Sequence, residues 1–422
     1  MSKKKSFKAH FLTLAKGNVG SQILLILGLP LLVSLYSPSD FGIFAIYSTV
    51  LAMGLVVSTF TFDKTIPIEK EERAYEQLVY LSLLSVLIST GSSALILTIL
   101  HIILSVEYYG ILLLALLGSC LAGSFQVMVQ FHVRNKNFFI IAKCKVIQNS
   151  LILTGQLCFF VFFEGFGLLI GDVLGRLVSL LIITRHLPLL PFDRAVMVTM
   201  VQKYKNFALH SSPAVLINSG AIQIPLLLAT YLYGEAGGGN YLLSYKIIGV
   251  PVTLIALTYS QVYYGMVSRE LAQGNTMYVI DLFDGTIKRF FYWSVVLIIG
   301  VIGIGPLIAE VIFGDEWSDV TVIIKQLAPL FFMQLIALPV SQTLYLLQEQ
   351  KTQLAWESVR LIGIIVIWWG GSWIELSMHQ TLSIYAWFSV ICYTGFLILC
   401  RKHLGEEHKR QKKGTTWVDA AY

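Results

Sequence analysis

The sequence predicts an all-α integral membrane protein of about twelve transmembrane helices. Three observations carry this. First, 56% of the 422 residues are hydrophobic and only 13% are charged, with a mean hydropathy of +0.73; a soluble globular domain is nearer ~25% charged. Second, apolar stretches of about the length needed to cross hydrocarbon as a helix recur along the whole chain. Third, all but four of the thirty Lys and Arg fall at the chain ends or in connections of one parity. Lipid offers no water to backbone groups, so spans of this length are read as helices and not as barrel strands.

The spans are read at 12–35, 41–62, 77–104, 110–131, 146–163, 167–187, 207–232, 241–265, 290–313, 322–347, 355–374 and 382–400. The first follows Lys3, Lys4, Lys5, Lys8 and Lys16, lacks a small-residue cleavage site, and is read as an ordinary first helix. Ser37–Asp40 is a short turn, free of Lys and Arg, into the second. Lys64, Lys70 and Arg73 separate the second from the third. Ser105–Tyr109 then carries no Lys or Arg, and Arg134, Lys136, Lys143 and Lys145 follow the fourth span. Glu164–Phe166 joins the fifth to the sixth. The longest polar interruption, 185–206, holds Arg185, Arg194, Lys203 and Lys205 with Pro188 and Pro191. In the second half, Arg269, Lys288, Arg289 and Lys351 continue the alternation, and the tail adds Arg401, Lys402, Lys409, Arg410, Lys412 and Lys413. Basic connections are retained in the cytoplasm, so both termini are expected there. The organisation expected is a six-helix lobe at 1–190, a cytoplasmic linker at 191–206, a second six-helix lobe at 207–400, and a basic cytoplasmic tail at 401–422.

The halves echo each other. Pro30–Tyr36, a turn and Phe41–Tyr47 match Pro225–Tyr231, a Gly-rich turn and Tyr241–Tyr245, at an offset of 195 residues. Repeats of an even number of helices are related by an axis along the membrane normal. Pro30 and Pro225 are bending points or tolerated kinks. Small and polar residues crowd the helices, among them Gly17, Asn18, Gly20 and Ser21 in the first, and Ser211, Ser212, Asn218 and Ser219 in the seventh. They permit close packing and also suit helices that line a wet cavity. Trp368, Trp369, Trp373 and Trp387 read as an interfacial belt.

Several chemistries are excluded by what is missing. No HExxH, GxxxxGK[ST] or GxSxG motif occurs, nor an acidic cluster for metal. No catalytic residue, metal site or cofactor is expected. The five Cys show no CxxC spacing and read as reduced thiols. His101 and His210 read as packing residues. The positive charge is spread over loops beside lipid and carries no nucleic-acid motif.

The four remaining cations are Arg176, Lys246, Lys325 and Arg360, which lie in apolar spans or at their ends. A cation there is costly unless it meets water, an anion or a ligand. Asp172 precedes Arg176 by four residues, which allows a pair on one helix face. Glu357 precedes Arg360 by three, which reads as an interfacial pair with Arg360 snorkelling. Lys325 is near a helix end and within reach of headgroups. Lys246 has no acidic residue three or four places away. The cationic excess asks for an anion such as phosphate or pyrophosphate, whereas a cation exporter would favour buried carboxylates.

Two stretches carry a family resemblance. One is Leu35-Tyr36-Ser37-Pro38-Ser39-Asp40-Phe41-Gly42 with Phe62-Asp63-Lys64-Thr65-Ile66-Pro67. The other is Ile312-Phe313-Gly314-Asp315-Glu316-Trp317 with Gln326–Phe332 and Leu347-Gln348-Glu349-Gln350-Lys351. The chain resembles the bacterial Wzx-type flippases of O-antigen and other polysaccharide repeat units, in the multidrug/oligosaccharidyl-lipid/polysaccharide (MOP) exporter superfamily. Lys64 departs from the acidic or neutral residue of many relatives. The resemblance implies two six-helix lobes around a central cavity, as in MATE transporters, working by alternating access in the bacterial cytoplasmic (inner) membrane. It implies an oligosaccharide on undecaprenyl pyrophosphate as cargo, with the polyprenyl tail in membrane lipid, and a polysaccharide polymerase and chain-length regulator as partners. Lys246 and Arg176 are then expected to contact the headgroup, with Arg360 and Lys325 behind them. Asp172 and Glu357 are expected to couple or tune, and Asn18, Gln22 and Asn218 to line the cavity. A drug or cation antiporter of the same superfamily, and a non-transporting component of a glycan-assembly complex, stay open as alternatives.

Overall fold

A computed structural model describes residues 20–69, 71–185, 192–303 and 314–412. Among them the regular structure is helical, with no strand. The longer helices are α1 (Gly20–Val33), α2 (Pro38–Ser58), α3 (Glu72–Leu104), α4 (Tyr109–Arg134), α5 (Phe138–Phe163), α6 (Gly167–Thr184), α7 (Arg194–Ser244), α8 (Val250–Ala272), α9 (Thr276–Gly303), α10 (Ser318–Ala337), α11 (Gln350–Trp373) and α12 (Met378–Lys412), with a single turn at Thr343–Leu346 between α10 and α11. Eight helical stretches are long and apolar enough to cross a membrane. Two of them, Phe138–Thr184 and Val215–Ala272, each hold a pair of the expected spans. The chain is a multi-pass membrane protein of about twelve helices.

The helices overrun the expected spans where the sequence turns polar. Hydropathy marks the thickness of hydrocarbon, whereas a helix continues until its backbone is capped. Thus α3 starts at Glu72, α5 at Phe138 and α9 at Thr276. The linker expected at 191–206 is helical from Arg194, and the first part of the expected tail continues α12 to Lys412. The N-terminal lysines, Pro188 and Pro191 lie outside the described residues.

The chain forms two compact units, residues 1–239 and 240–422. In the first, the turn between α1 and α2 is closed by a capping box. Ser37 Oγ accepts from the Asp40 amide, while Asp40 Oδ2 accepts from the Ser37 amide at 2.9 Å. The return from α2 to α3 is tight and passes through Phe60 and Thr61 at φ 46° and 61°. Near this return an apolar core gathers Phe62, Tyr75, Leu78, Phe125, Met128, Phe131, Ile141, Ile183 and Met200. α5 and α6 approach until backbones touch. A Cβ on Gly171 would lie 2.3 Å from the Gln156 nitrogen, and one on Gly175 would lie 2.7 Å from that of Ile152. Small residues serve membrane helices in this way because dispersion, not water release, drives their association.

α7 contains Pro213 and Pro225 and breaks at Gly234, where φ is 85° and ψ 165°. The residues after the break dock on the α1–α2 turn. A Cβ on Gly42 would lie 2.0 Å from the Glu235 carbonyl, and one on Gly239 1.8 Å from that of Pro38. Tyr108 Oη donates to Glu235 Oε1 at 2.8 Å. At the other end of α7, Lys203 Nζ and Tyr204 Oη both donate to Glu69 Oε2, at 2.5 and 2.9 Å. That bond raises the Lys203 pKa.

In the second unit α10 packs against α9 and α12, and α11 against α12. A π-helical turn, Tyr245–Gly249, precedes α8. The far end of α12 reaches back to the α8–α9 connection, where Thr276 Oγ1 donates to Gln411. Arg401 pairs with Asp284 at 3.0 Å.

Candidate functional site

Among the described residues two clusters are built around the predicted membrane arginines, one in each unit, and they are wired differently. In the first unit, Arg176 of α6 makes the pair that its spacing predicts. Its Nε donates to Asp172 Oδ2 at 2.6 Å and a second nitrogen donates to Oδ1 at 3.1 Å, a bidentate geometry. Tyr47 of α2 donates to the same Oδ2 at 2.7 Å. Asp172 and Tyr47 are buried, while the Arg176 side chain keeps 21% of its surface exposed. Gly118 of α4 leaves room for the Tyr47 hydroxyl, which a Cβ there would meet at 2.6 Å. Around this charged pair α5 contributes amides. Gln156 donates to the Leu168 carbonyl at 3.2 Å, Gln148 to Ser179 Oγ at 3.1 Å, and Asn149 to the Ser21 carbonyl at 2.9 Å. Gln22, beside Ser21, is partly buried. Asn18 lies outside the described residues.

In the second unit Arg360 of α11 corrects the reading of an interfacial pair. Arg360 is only 6% exposed and makes no ion pair with Glu357 among the described contacts. Glu357, also buried, accepts instead from Gln353 at 2.7 Å. Arg360 lies over two rings that touch each other, with centroids 5.9 Å apart. Its guanidinium carbon is 4.8 Å from the Trp356 centroid and 5.6 Å from that of Tyr393, and one nitrogen donates to Tyr393 Oη at 3.1 Å. Its buried Nε has no hydrogen-bond partner, nor do the side-chain oxygens of Gln334 and Gln353. Gln334 also donates to Tyr393 Oη, at 3.3 Å. Tyr245 and Tyr385 lie within electrostatic reach of the guanidinium. Snorkelling fails because residue 360 shares the buried stripe of α11 with Gln353, Glu357, Ile364, Trp368 and Gly371. That stripe faces protein, so the side chain has no path to the interface.

The same stripe corrects the aromatic belt. Trp368 is fully buried and packs edge-on against Tyr241, with centroids 6.1 Å apart. Trp369, Trp373 and Trp387 are exposed. Of the other predicted residues, Lys246 is partly buried within the π turn, a distortion common at functional sites. Asn218 is partly buried on α7, and Lys325 is exposed on α10. His101 stacks on Tyr109 at 4.1 Å and its Nδ1 lies 3.1 Å from the Val106 carbonyl, a packing role. The His210 side chain lies outside the described residues.

Sequence reasoning missed Tyr47, Trp356, Tyr393 and Gln334. For Trp356 the signal was available, since it precedes Arg360 by four residues and so shares its face. The others come from distant helices and leave no local trace.

Residues 31–322 match the profile of a family described as polysaccharide biosynthesis protein. The chain belongs to that family. A search among curated proteins finds no match. Solved structures share the fold at low identity. One is the lipid II flippase MurJ in an inward closed conformation, with TM-score 0.72 and 12% identity over 95% of this chain and 90% of that one. Another is an inward-facing multidrug resistance MATE family transporter of the MOP superfamily, with TM-score 0.66 and 15% identity over 93% and 96%. A third is a MOP superfamily transporter from Pyrococcus furiosus with a binding pocket of reverse polarity, with TM-score 0.63 and 14% identity over 95% of each chain. The polysaccharide-family resemblance drawn from the two sequence stretches agrees with the matching profile, and the two-lobed helical fold it implied is shared with these structures. These three neighbours are themselves a flippase and two transporters.

Proposed function

We propose that this protein is a flippase that moves oligosaccharide repeat units linked to undecaprenyl pyrophosphate across the bacterial cytoplasmic membrane. It works by alternating access and supplies O-antigen or another surface polysaccharide. The observation that carries this reading is Arg360, a buried guanidinium held by aromatic rings and a phenol. A charge taken out of water is retained where a partner of opposite sign completes it. Phosphate or an acidic sugar supplies that partner, while Trp356 and Tyr393 hold the guanidinium in place. Lys246 and Lys325 in the same unit, and the exposed part of Arg176 in the other, are further headgroup contacts. Asp172 holds Arg176 in place, Glu357 tunes its own cluster, and Asn18, Gln22 and Asn218 line the cargo's path. Membership in the polysaccharide biosynthesis family favours this cargo over drugs. The basic connections then lie in the cytoplasm with both termini, and a polymerase and chain-length regulator act downstream.

The test is deletion in a host that builds surface polysaccharide, with analysis of its lipid-linked oligosaccharides. Expected is loss of surface glycan while complete repeat units accumulate on the lipid carrier at the cytoplasmic face. Expected too is that Arg360→Ala, at normal expression, fails to restore the glycan. Normal glycan with altered sensitivity to cationic compounds overturns the reading in favour of an antiporter.

A further inference from the structure

The fold moves one cation of the first unit out of the connections. Hydropathy leaves Lys145 just ahead of the fifth span, with the basic residues between α4 and α5. The helix α5 begins at Phe138, however, so Lys145 lies about two turns inside it. At about 100° per residue, Lys145 falls on the stripe of α5 that holds Gln148, Asn149, buried Ile152 and buried Gln156. Phe139, Lys143, Val146, Thr154 and Cys158 are exposed on the opposite side. Gln148 bonds Ser179 of α6, and Asn149 bonds the Ser21 carbonyl of α1. Lys145, one turn nearer the α4–α5 connection and between those two directions, lies toward the angle between α6 and α1.

Lys145 is partly buried. Among the described residues its ammonium makes no hydrogen bond, ion pair or ring contact, and no carboxylate lies within its electrostatic reach. Its stem leaves α5 on the side away from lipid, so it does not snorkel to bilayer headgroups, a course open to Lys143. A cation placed in this way is costly unless an anion visits it. Arg176 lies further along the same α5–α6 pair. Ile152 meets Gly175 and Gln148 meets Ser179 across that contact, so Arg176 is level with about Leu151. Lys145 is then about 9 Å nearer the α4–α5 connection, at about 1.5 Å per residue. Arg176 also lies inward, opposite exposed Leu174, Leu177, Val178 and Leu181 of α6. Arg176 shares its charge with Asp172, whereas Lys145 keeps its whole charge for a ligand.

We propose that Lys145 is an anion contact of the first unit, which takes the diphosphate of the lipid-linked cargo on the side of the basic connections, ahead of Arg176. The inference rests on the flippase reading for the cargo's identity and direction. Lysine suits a contact made in passing, since an ammonium holds phosphate as a point charge without fixing its orientation.

The test uses the full chain in phosphatidylcholine nanodiscs, with radiolabelled undecaprenyl pyrophosphate as the probe. Lys145→Gln should weaken binding about tenfold, equivalent to ~1.4 kcal/mol, and Lys145→Arg should restore it. The Lys145→Gln protein should melt at or above the parent temperature, because a desolvated cation without a protein partner is removed. Lys143→Gln, on the lipid side of the same helix, should bind as the parent does. Phosphatidylglycerol at the same mole fraction, or inorganic phosphate, should not displace the probe. Unchanged binding in Lys145→Gln, an equal loss in Lys143→Gln, a loss of binding that comes only with a lowered melting midpoint, or displacement by either competitor would overturn the proposal. Its failure is separable from that of the flippase reading. Weakened binding in Lys145→Gln with normal glycan in the deletion strain would keep the anion contact and reject the function. Lost glycan in the deletion strain with unchanged binding in Lys145→Gln would do the reverse.

Discussion

Arg176→Ala tests how the first unit holds its buried charge. The substitution leaves Asp172, with a side chain 5% exposed, bonded only to Tyr47 among the contacts described above. Removing one partner of a buried ion pair costs ~3–5 kcal/mol, because the other charge stays desolvated. Arg176 retains 21% exposure, so water enters when it is cut back, and a loss near 3 kcal/mol is expected. At ~2–4 °C per kcal/mol for a body of this size, the melting midpoint should fall by roughly 6–12 °C. Asp172→Asn combined with Arg176→Gln removes both charges and should melt within about 3 °C of the parent. The assay is thermal unfolding of detergent-solubilised protein followed by size-exclusion fluorescence, with surface glycan measured in parallel. A midpoint for Arg176→Ala within about 2 °C of the parent would refute the dependence of Asp172 on Arg176. Since Arg176 is proposed to touch cargo, the double variant should be stable and yet fail to restore glycan.

Other perturbations follow from single contacts. Gly175→Leu should abolish folded protein, because its Cβ alone would lie 2.7 Å from a backbone nitrogen of α5; normal size-exclusion behaviour would refute the close approach. Gly42→Ala should preserve expression and impair glycan export, since its methyl cannot coexist with the Glu235 carbonyl as placed. Disulfide trapping between cysteines at positions 39 and 236 should fall with it. Tyr108→Phe should destabilise by ~1–2 kcal/mol, the scale of a hydrogen bond to a charged group. The bond to Glu235 lifts the Tyr108 pKa to about 12. Its contribution is therefore full below the ordinary tyrosine range near ~10 and lost as pH rises through about 12, so the Tyr108→Phe deficit should be constant from pH ~6 to ~9. Arg360→Lys should restore less glycan than the parent, because an ammonium lacks the planar face that packs on Trp356 and Tyr393 and the fixed fork that reaches Tyr393 Oη.

The helices were legible because hydrocarbon imposes a length on apolar segments, and charge parity ordered them. The Asp172–Arg176 pair was legible because both members lie on one helix a turn apart. The surroundings of Arg360 were not. Spacing offered Glu357 as its partner, yet Tyr393 and Gln334 arrive from α12 and α10, whose register against α11 is fixed by packing. Trp368 failed for the same reason: hydropathy ranks a tryptophan near a helix end as interfacial whichever way the stripe faces. The docking of Gly42 on Glu235 was invisible because the residues that make it have almost no side chain to pattern.

That docking has a further consequence. The turn before α2 and the break in α7 are the places that the 195-residue offset pairs, and each contributes backbone to the other. Under that offset Gly42 corresponds to Gly237 and Glu235 to Asp40, so Gly42 against Glu235 and Gly239 against Pro38 are two different contacts and not images of one another. One substitution can therefore loosen either contact while the other stays as it is.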